Sequence, residues 1–419
     1  MMLFFFSNSA NGLQDRLNAL VSYCYTWCLK VNLKTTKVLL FNKSGRLIKE
    51  PFYFNNELIE SVNKYTYLGV IFQSSGLFNY AKEELYNKSL KASYKLSRCL
   101  SGSAASIKTN LHLIDHTIKP IDLYGSEIWG MFKTNSAACK KNAINISEKI
   151  YQNNVADKIN LKFCKFTLDV NSKSSNIAVL SELGRFPIYF NIVLSMISYL
   201  HRLHHCSSNL LKEAFLCNKN LHENNIQTWY SSVIFLHYKL DLREMYCRDY
   251  SINKIKELVI KKLKTLFLKA WFYEKDNVSG KLDTCFFSTK VCSKKKKYLE
   301  INNFEVRQIL CRFRISSHHL RVETERHKNN SIVRSQRICK FCSQNDIEDE
   351  PHFLIKCAFY NSLREELYTK IQNYCTNFIK LDNKFKFVWL MTTENTFLVE
   401  NLGHFLIQSF KLRSTNISD

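Results

Sequence analysis

Turn-forming residues are almost missing from this chain: 10 glycines and 4 prolines in 419 residues, about 2% and 1% where about 7% and 5% are usual. Sandwiches, barrels and doubly wound sheets return their strands through tight turns that need these residues. A chain so poor in them is expected to be mainly α. Its length exceeds one core of ordinary size, so two to four domains are expected. Hydrophobic residues at 46% and aromatics at 13% supply enough apolar surface to exclude wholesale disorder.

The N-terminal region is the exception to the helical pattern. Residues 1–6 (MMLFFF) read as a bare apolar strand, and a chain that opens in mid-strand points to truncation. Leu13, Leu17, Leu20, Val21, Cys24 and Cys28 then recur at helical spacing. Residues 37–41 read as a buried strand, and Phe52, Tyr53, Phe54, Leu58 and Ile59 flank Asn55-Asn56 as a hairpin. Residues 65–72 (YTYLGVIF) read as a further strand. The segment 1–75 is thus a small α+β unit whose strands lack partners. Beyond Gly76, Leu85, Ser89, Ala92, Leu96 and Cys99 form one helical stripe. Lys88, Lys91, Lys95 and Arg98 form a second, about a quarter turn away. Residues 115–130 read as a helix hinge, and 180–187 (LSELGRFP) as a helix end with a glycine cap and a proline stop. Further helices are expected over 188–203, 252–274, 304–320, 363–378 and 397–412.

Lysine and arginine outnumber aspartate and glutamate 60 to 36, a net charge of +24. Polyanions relieve the self-repulsion of such a body, and nucleic acid and anionic membrane surfaces are the partners of that kind. A base composition favouring lysine codons is the neutral alternative. The start lacks the basic leader of a signal peptide. The most apolar stretch, 186–200, is interrupted by Asn191, Ser195 and Ser198 and falls short of the roughly 18–20 residues of a membrane span. Fifteen scattered cysteines then read as reduced thiols of an intracellular protein with no membrane partner, most of them small core residues.

One cysteine group stands apart. Cys339 and Cys342 are two residues apart, His352 follows after nine, and Cys357 after four more. Paired thiolates on a tight turn, closed by an imidazole and a third thiolate, make the tetrahedral donor set of structural zinc. Four protein ligands leave no open position for chemistry. The alternative is a knuckle of reduced core cysteines. No phosphate-cradling loop, nucleophile elbow or zinc-protease helix motif occurs. Glu83-Glu84 and Glu365-Glu366 read as solvated helix faces, paired aspartates suited to two-metal chemistry are missing, and no catalytic residue is assigned. Lys88, Lys91, Lys95 and Arg98 are spaced to follow a phosphate backbone, with a plain solvated face as the alternative. The lysine run 294–297 reads as a loop patch. Tyr65, Tyr67 and Trp129 are candidates for base stacking, with core packing favoured for Trp129.

Five segments in order suggest a family: 13–32 (LQDRLNALVSYCYTWCLKVN), 37–41 (KVLLF), 65–72, 123–130 (LYGSEIWG) and 180–187. They resemble the part of LINE-type (non-LTR) retrotransposon reverse transcriptases that follows the catalytic box. The Cys/His run, with its wording EDEPHFLIKC at 348–357, is similar to the zinc-binding module at the C-terminus of those polyproteins. The resemblance implies a palm remnant (1–75), a thumb-like helical region (76–150), a helical connector (151–330), a CCHC zinc module (331–360) and a helical tail (361–419). It implies that Tyr67, Leu68 and Gly69 lie near the primer grip, and that RNA and DNA (template–primer and target DNA) are the partners. Magnesium would belong only to the intact polymerase, because the family's Tyr-x-Asp-Asp hairpin falls before residue 1. The lysine that the family places near position 35 is Thr35 here, beside Lys34. Polymerisation by this chain alone is therefore not expected. Two other readings stand beside this one: a non-enzymatic zinc-containing module that binds nucleic acid or protein, and a decayed open reading frame.

Overall fold

The computed structural model describes residues 3–101, 105–130, 155–242, 250–277, 295–326 and 332–416. Most of them are helical, and the two sheets have three and two strands. The mainly-α expectation holds. Two compact units divide between Lys88 and Ser89.

In the first unit, α1 (Ala10–Thr26) begins where the Ser9 side chain accepts a hydrogen bond from the Gly12 N–H, satisfying one of the open amides of the first turn. Strands β1 (Lys37–Leu39), β2 (Phe52–Phe54) and β3 (Glu57–Val62) form a sheet in the order β1-β3-β2. Strand β1 runs parallel to β3, and β2 antiparallel with Phe52 opposite Ile59. Leu17 of α1 joins Val38, Phe52 and Ile59 to make the core, with Leu13 and Leu33 packed against it. Each such side chain contributes about 1.5–3 kcal/mol on burial. The Gln14 amide fixes the register of helix on sheet: it donates to the Tyr53 carbonyl at 2.7 Å and accepts from the Tyr53 N–H at 2.9 Å.

Two expectations need correction here. Residues 65–72 are a hairpin, not one strand: β4 (Lys64–Tyr67) pairs antiparallel with β5 (Val70–Gln73). The reason is the turn pair Leu68-Gly69, with φ of 47° and 81°, the doubly left-handed geometry of a two-residue hairpin loop. Asn55-Asn56 makes the same turn between β2 and β3, at φ of 49° and 64°, as the sequence suggests. Residues 3–6 form no strand; Phe4 packs its ring on Tyr67 at 4.8 Å.

Helix α2 (Asn79–Leu100) follows. In the second unit, α3 (Ile107–Thr117), α4 (Lys119–Leu123) and α5 (Ser126–Trp129) resolve the expected hinge into three short pieces. Pro120 sits at the start of α4, and Gly125 at φ 66° turns the chain into α5. Next come α6 (Val155–Leu168) and α7 (Asn176–Leu183), the latter ended by Gly184 at φ 64° as expected. Helix α8 (Tyr189–His204) buries Ile192, Val193, Met196, Ile197 and Leu200. Around it lie α5, α9 (Asn209–Glu223), α10 (Trp229–Lys239) and α11 (Ile252–Asn277). A second core forms where α12 (Phe304–Arg314) and α14 (Asn361–Gln372) pack on α16 (Thr396–Thr415). The short α13 (Arg321–Thr324) and α15 (Asn383–Thr392) complete the set.

Helix α12 stops at Arg314 rather than running to 320, because Ser316 takes φ 53° and turns the chain away. The helix expected over 363–378 ends at Gln372, and Phe378 opens a separate short turn. Lys294 and, within the thumb-like region 76–150, residues 102–104 and 131–150 lie outside the described residues. No helix among the described residues is long and apolar enough to cross a membrane.

Candidate metal centre

The segment entering the centre is anchored by Arg337, whose Nε donates to the Ile332 carbonyl at 2.9 Å and Nη1 to the Val322 carbonyl at 2.7 Å. An antiparallel bridge joins Ile338 to Ile347, and the Cys339 N–H donates to the Asp346 carbonyl at 2.9 Å. Cys339 and Cys342 therefore sit on a knuckle whose return passes through Asn345 at φ 53°, a conformation asparagine tolerates. Asp349 starts the next turn, accepting from the His352 N–H at 3.0 Å.

That turn is a π-helix over His352–Lys356, closed by a bond from the Cys357 N–H to the His352 carbonyl at 2.8 Å. Residues five apart in an α-helix point about 140° away from each other around the axis. The wider π-turn brings them back toward one face, and His352 and Cys357 converge. The Cys339 and Cys357 sulfurs stand 3.8 Å apart, and the Cys342 sulfur lies 3.4 Å from His352 Nε2. All four donor atoms fall within 4.8 Å of one another. A tetrahedral ion with metal–sulfur bonds of about 2.3 Å has sulfur–sulfur edges of about 3.8 Å, so the donor set fits such an ion.

The contact between the Cys339 and Cys357 sulfurs lowers the Cys339 thiol and, with burial, raises that of Cys357. An ion that replaces their protons lets both act as thiolates. His352 is 2% exposed, and its Nδ1 lies 3.6 Å from the Asp346 carboxylate without a hydrogen bond to it.

The acidic run 346–350 is largely used internally. Glu348, 1% exposed, receives Arg413 Nε at 3.0 Å, Arg413 Nη2 at 2.9 Å and the Arg321 N–H at 2.9 Å. Burial raises the Glu350 carboxyl, but His318 at 2.9 Å and Ser316 at 2.7 Å outweigh it, so it rests below the usual range. Phe353, between the ligands, packs against Phe313, Tyr360, Phe405 and Phe410. The π-turn is thus continuous with the second core.

The other sequence candidates lie elsewhere. Lys88, Lys91, Lys95 and Arg98 are all exposed on α2, with Lys88 3.6 Å from Glu84. Tyr67, Leu68 and Gly69 form the tip of the β4–β5 hairpin, where Leu68 is 65% exposed. Tyr65 donates its hydroxyl to the Thr35 carbonyl at 3.0 Å. Thr35 and Thr36 both donate hydroxyls to the Asn32 carbonyl. Trp129 is buried, its indole N–H bonded to the Tyr124 carbonyl, which is the core role favoured for it. Glu83, Glu365 and Glu366 are exposed, and Glu84 partly so.

A curated protein described as "Probable RNA-directed DNA polymerase from transposon BS", from Drosophila melanogaster, is 25% identical to this chain over 130 residues. The match supports a reverse-transcriptase-related origin. It covers 30% of this chain and 14% of the relative, so the chain spans a small part of that protein's length. No family model and no solved structure matches.

Proposed function

We propose that this chain is the C-terminal part of a LINE-type reverse transcriptase, and that it binds RNA or DNA without itself catalysing polymerisation. In this reading 1–75 is the end of the palm, 76–150 the thumb, 151–330 a connector, 331–360 a zinc module and 361–419 a helical tail. The likeness to a transposon RNA-directed DNA polymerase carries the reading. Two features fit it: four exposed cations along one helix, and a closed Cys3His donor set with no vacant position for a substrate.

Helix α2 would follow the phosphate backbone of a template–primer duplex through Lys88, Lys91, Lys95 and Arg98. The hairpin tip at Tyr67, Leu68 and Gly69 would lie beside the primer. Zinc would be held by Cys339, Cys342, His352 and Cys357, supplying cross-linking rather than chemistry. Magnesium would enter only with the aspartates of an intact polymerase.

Duplex affinity measured against salt tests the proposal. Each neutralised phosphate contributes about 0.9 to the slope of log affinity against log salt. Replacing Lys88, Lys91 and Lys95 by glutamate should flatten that slope by about 2–3. An unchanged slope removes α2 from the interface, and absent binding to both RNA and DNA refutes the reading.

A further inference from the structure

Arg364, near the start of α14, is 5% exposed and lies directly behind the π-turn. Its Nε donates to the Leu354 carbonyl at 3.0 Å, and its Nη2 to the carbonyls of Cys357 at 2.7 Å and Phe353 at 3.4 Å. Its Nη1 donates to Asn361 Oδ1 at 2.6 Å. Every one of these acceptors is neutral.

Two other buried arginines of this unit have acids: Arg413 is paired with both oxygens of Glu348, and Arg314 with both oxygens of Glu182. Arg337 instead rests on the Ile332 and Val322 carbonyls. Among the described residues no carboxylate ion-pairs with Arg364, and the shortest of its backbone carbonyl contacts is to the candidate ligand Cys357, at 2.7 Å. A guanidinium does not release its proton inside a protein. The charge of Arg364 is met by the carbonyl dipoles at the end of the π-turn.

Three thiolates, one neutral imidazole and one divalent ion sum to a single negative charge. We propose that Arg364 is the buried counter-charge of this thiolate–metal centre, a positioning residue that favours a complex of net charge −1. This rests on the reading of the four residues as ligands of a divalent ion.

Zinc affinity of the full chain, by competition with a chromophoric chelator, tests this. Cobalt absorption reports the ligand set. Arg364→Gln and Arg364→Lys both keep donors for the carbonyls but differ in charge. Glutamine should weaken zinc at least tenfold, and lysine less than threefold. In a Cys342→His background the centre becomes neutral, and Arg364→Gln should then cost less than threefold. Equal losses for glutamine and lysine, or equal losses of Arg364→Gln in both backgrounds, would assign Arg364 to carbonyl capping alone and overturn the proposal. Tight zinc binding indifferent to every Arg364 variant would overturn it while leaving the metal site standing. A wild-type chain that binds neither zinc nor cobalt would overturn both.

Discussion

Glu348→Ala is the substitution whose cost the structure defines most sharply. The carboxylate is 1% exposed and accepts three hydrogen bonds, two from the Arg413 guanidinium and one from the Arg321 backbone. Removing it leaves Arg413, itself 8% exposed at the side chain, without a counter-ion. Only the Phe341 ring, 4.9 Å away, stays to receive its charge. Stranding one member of a buried ion pair costs about 3–5 kcal/mol. A chain of two units does not unfold in a single step, so the readout is native-state hydrogen exchange rather than a melting curve. Residues 335–360 and α16 should exchange faster together, by about two to three and a half orders of magnitude at about 1.4 kcal/mol per decade. Arg413→Met added to Glu348→Ala removes the stranded cation and should recover part of the loss, since coupled residues are non-additive. A cost below about 1 kcal/mol, or an additive double variant, would refute the claim that this pair ties the metal loop to the last helix.

Two further outcomes follow from packing and burial. A Cβ at Gly403 of α16 would lie 2.5 Å from Val306 Cγ1 and 3.4 Å from Val306 Cα. Gly403→Ala should therefore lose about 1–2 kcal/mol in hydrogen exchange of α12 and α16, despite a helix propensity gain of about 1 kcal/mol, and Val306→Ala alongside it should recover part of this; a stabilised single variant would contradict the close approach. Burial pushes the Asp122 and Asp157 carboxyls up to about 7, so the folded chain holds protons that the unfolded chain releases near pH 4. Their contribution to stability should fall between about pH 4 and 7 and then level off. Asp122→Asn should compare more favourably with the wild type at pH 8 than at pH 5, and an unaltered pH slope would exclude Asp122 as a source.

The sequence carries the helical class through the scarcity of glycine and proline, and it carries the four donors of the candidate metal centre through spacing alone. Helix ends were legible where a residue had a local job, as at Gly184. They were misread where a left-handed residue of unremarkable type turned the chain. Ser316 ends α12 and Leu68 opens the β4–β5 turn, and neither residue type announces such a conformation. Arg364 and the Glu348–Arg413 pair were missed for a different reason. A charged residue in a polar segment reads as solvated, and its burial depends on partners 10 to 65 residues away. The single turn of π-helix was likewise invisible, since HFLIK has the composition of any apolar turn.

That turn has a consequence for insertions and deletions. With one residue fewer between His352 and Cys357, an ordinary α-turn would suffice, because positions four apart point within about 40° of each other. The extra residue is absorbed as a bulge of the helix rather than by displacement of either ligand. Both spacings can thus present the same donor geometry, so a loss of one residue here would cross between two workable solutions without passing through a broken site.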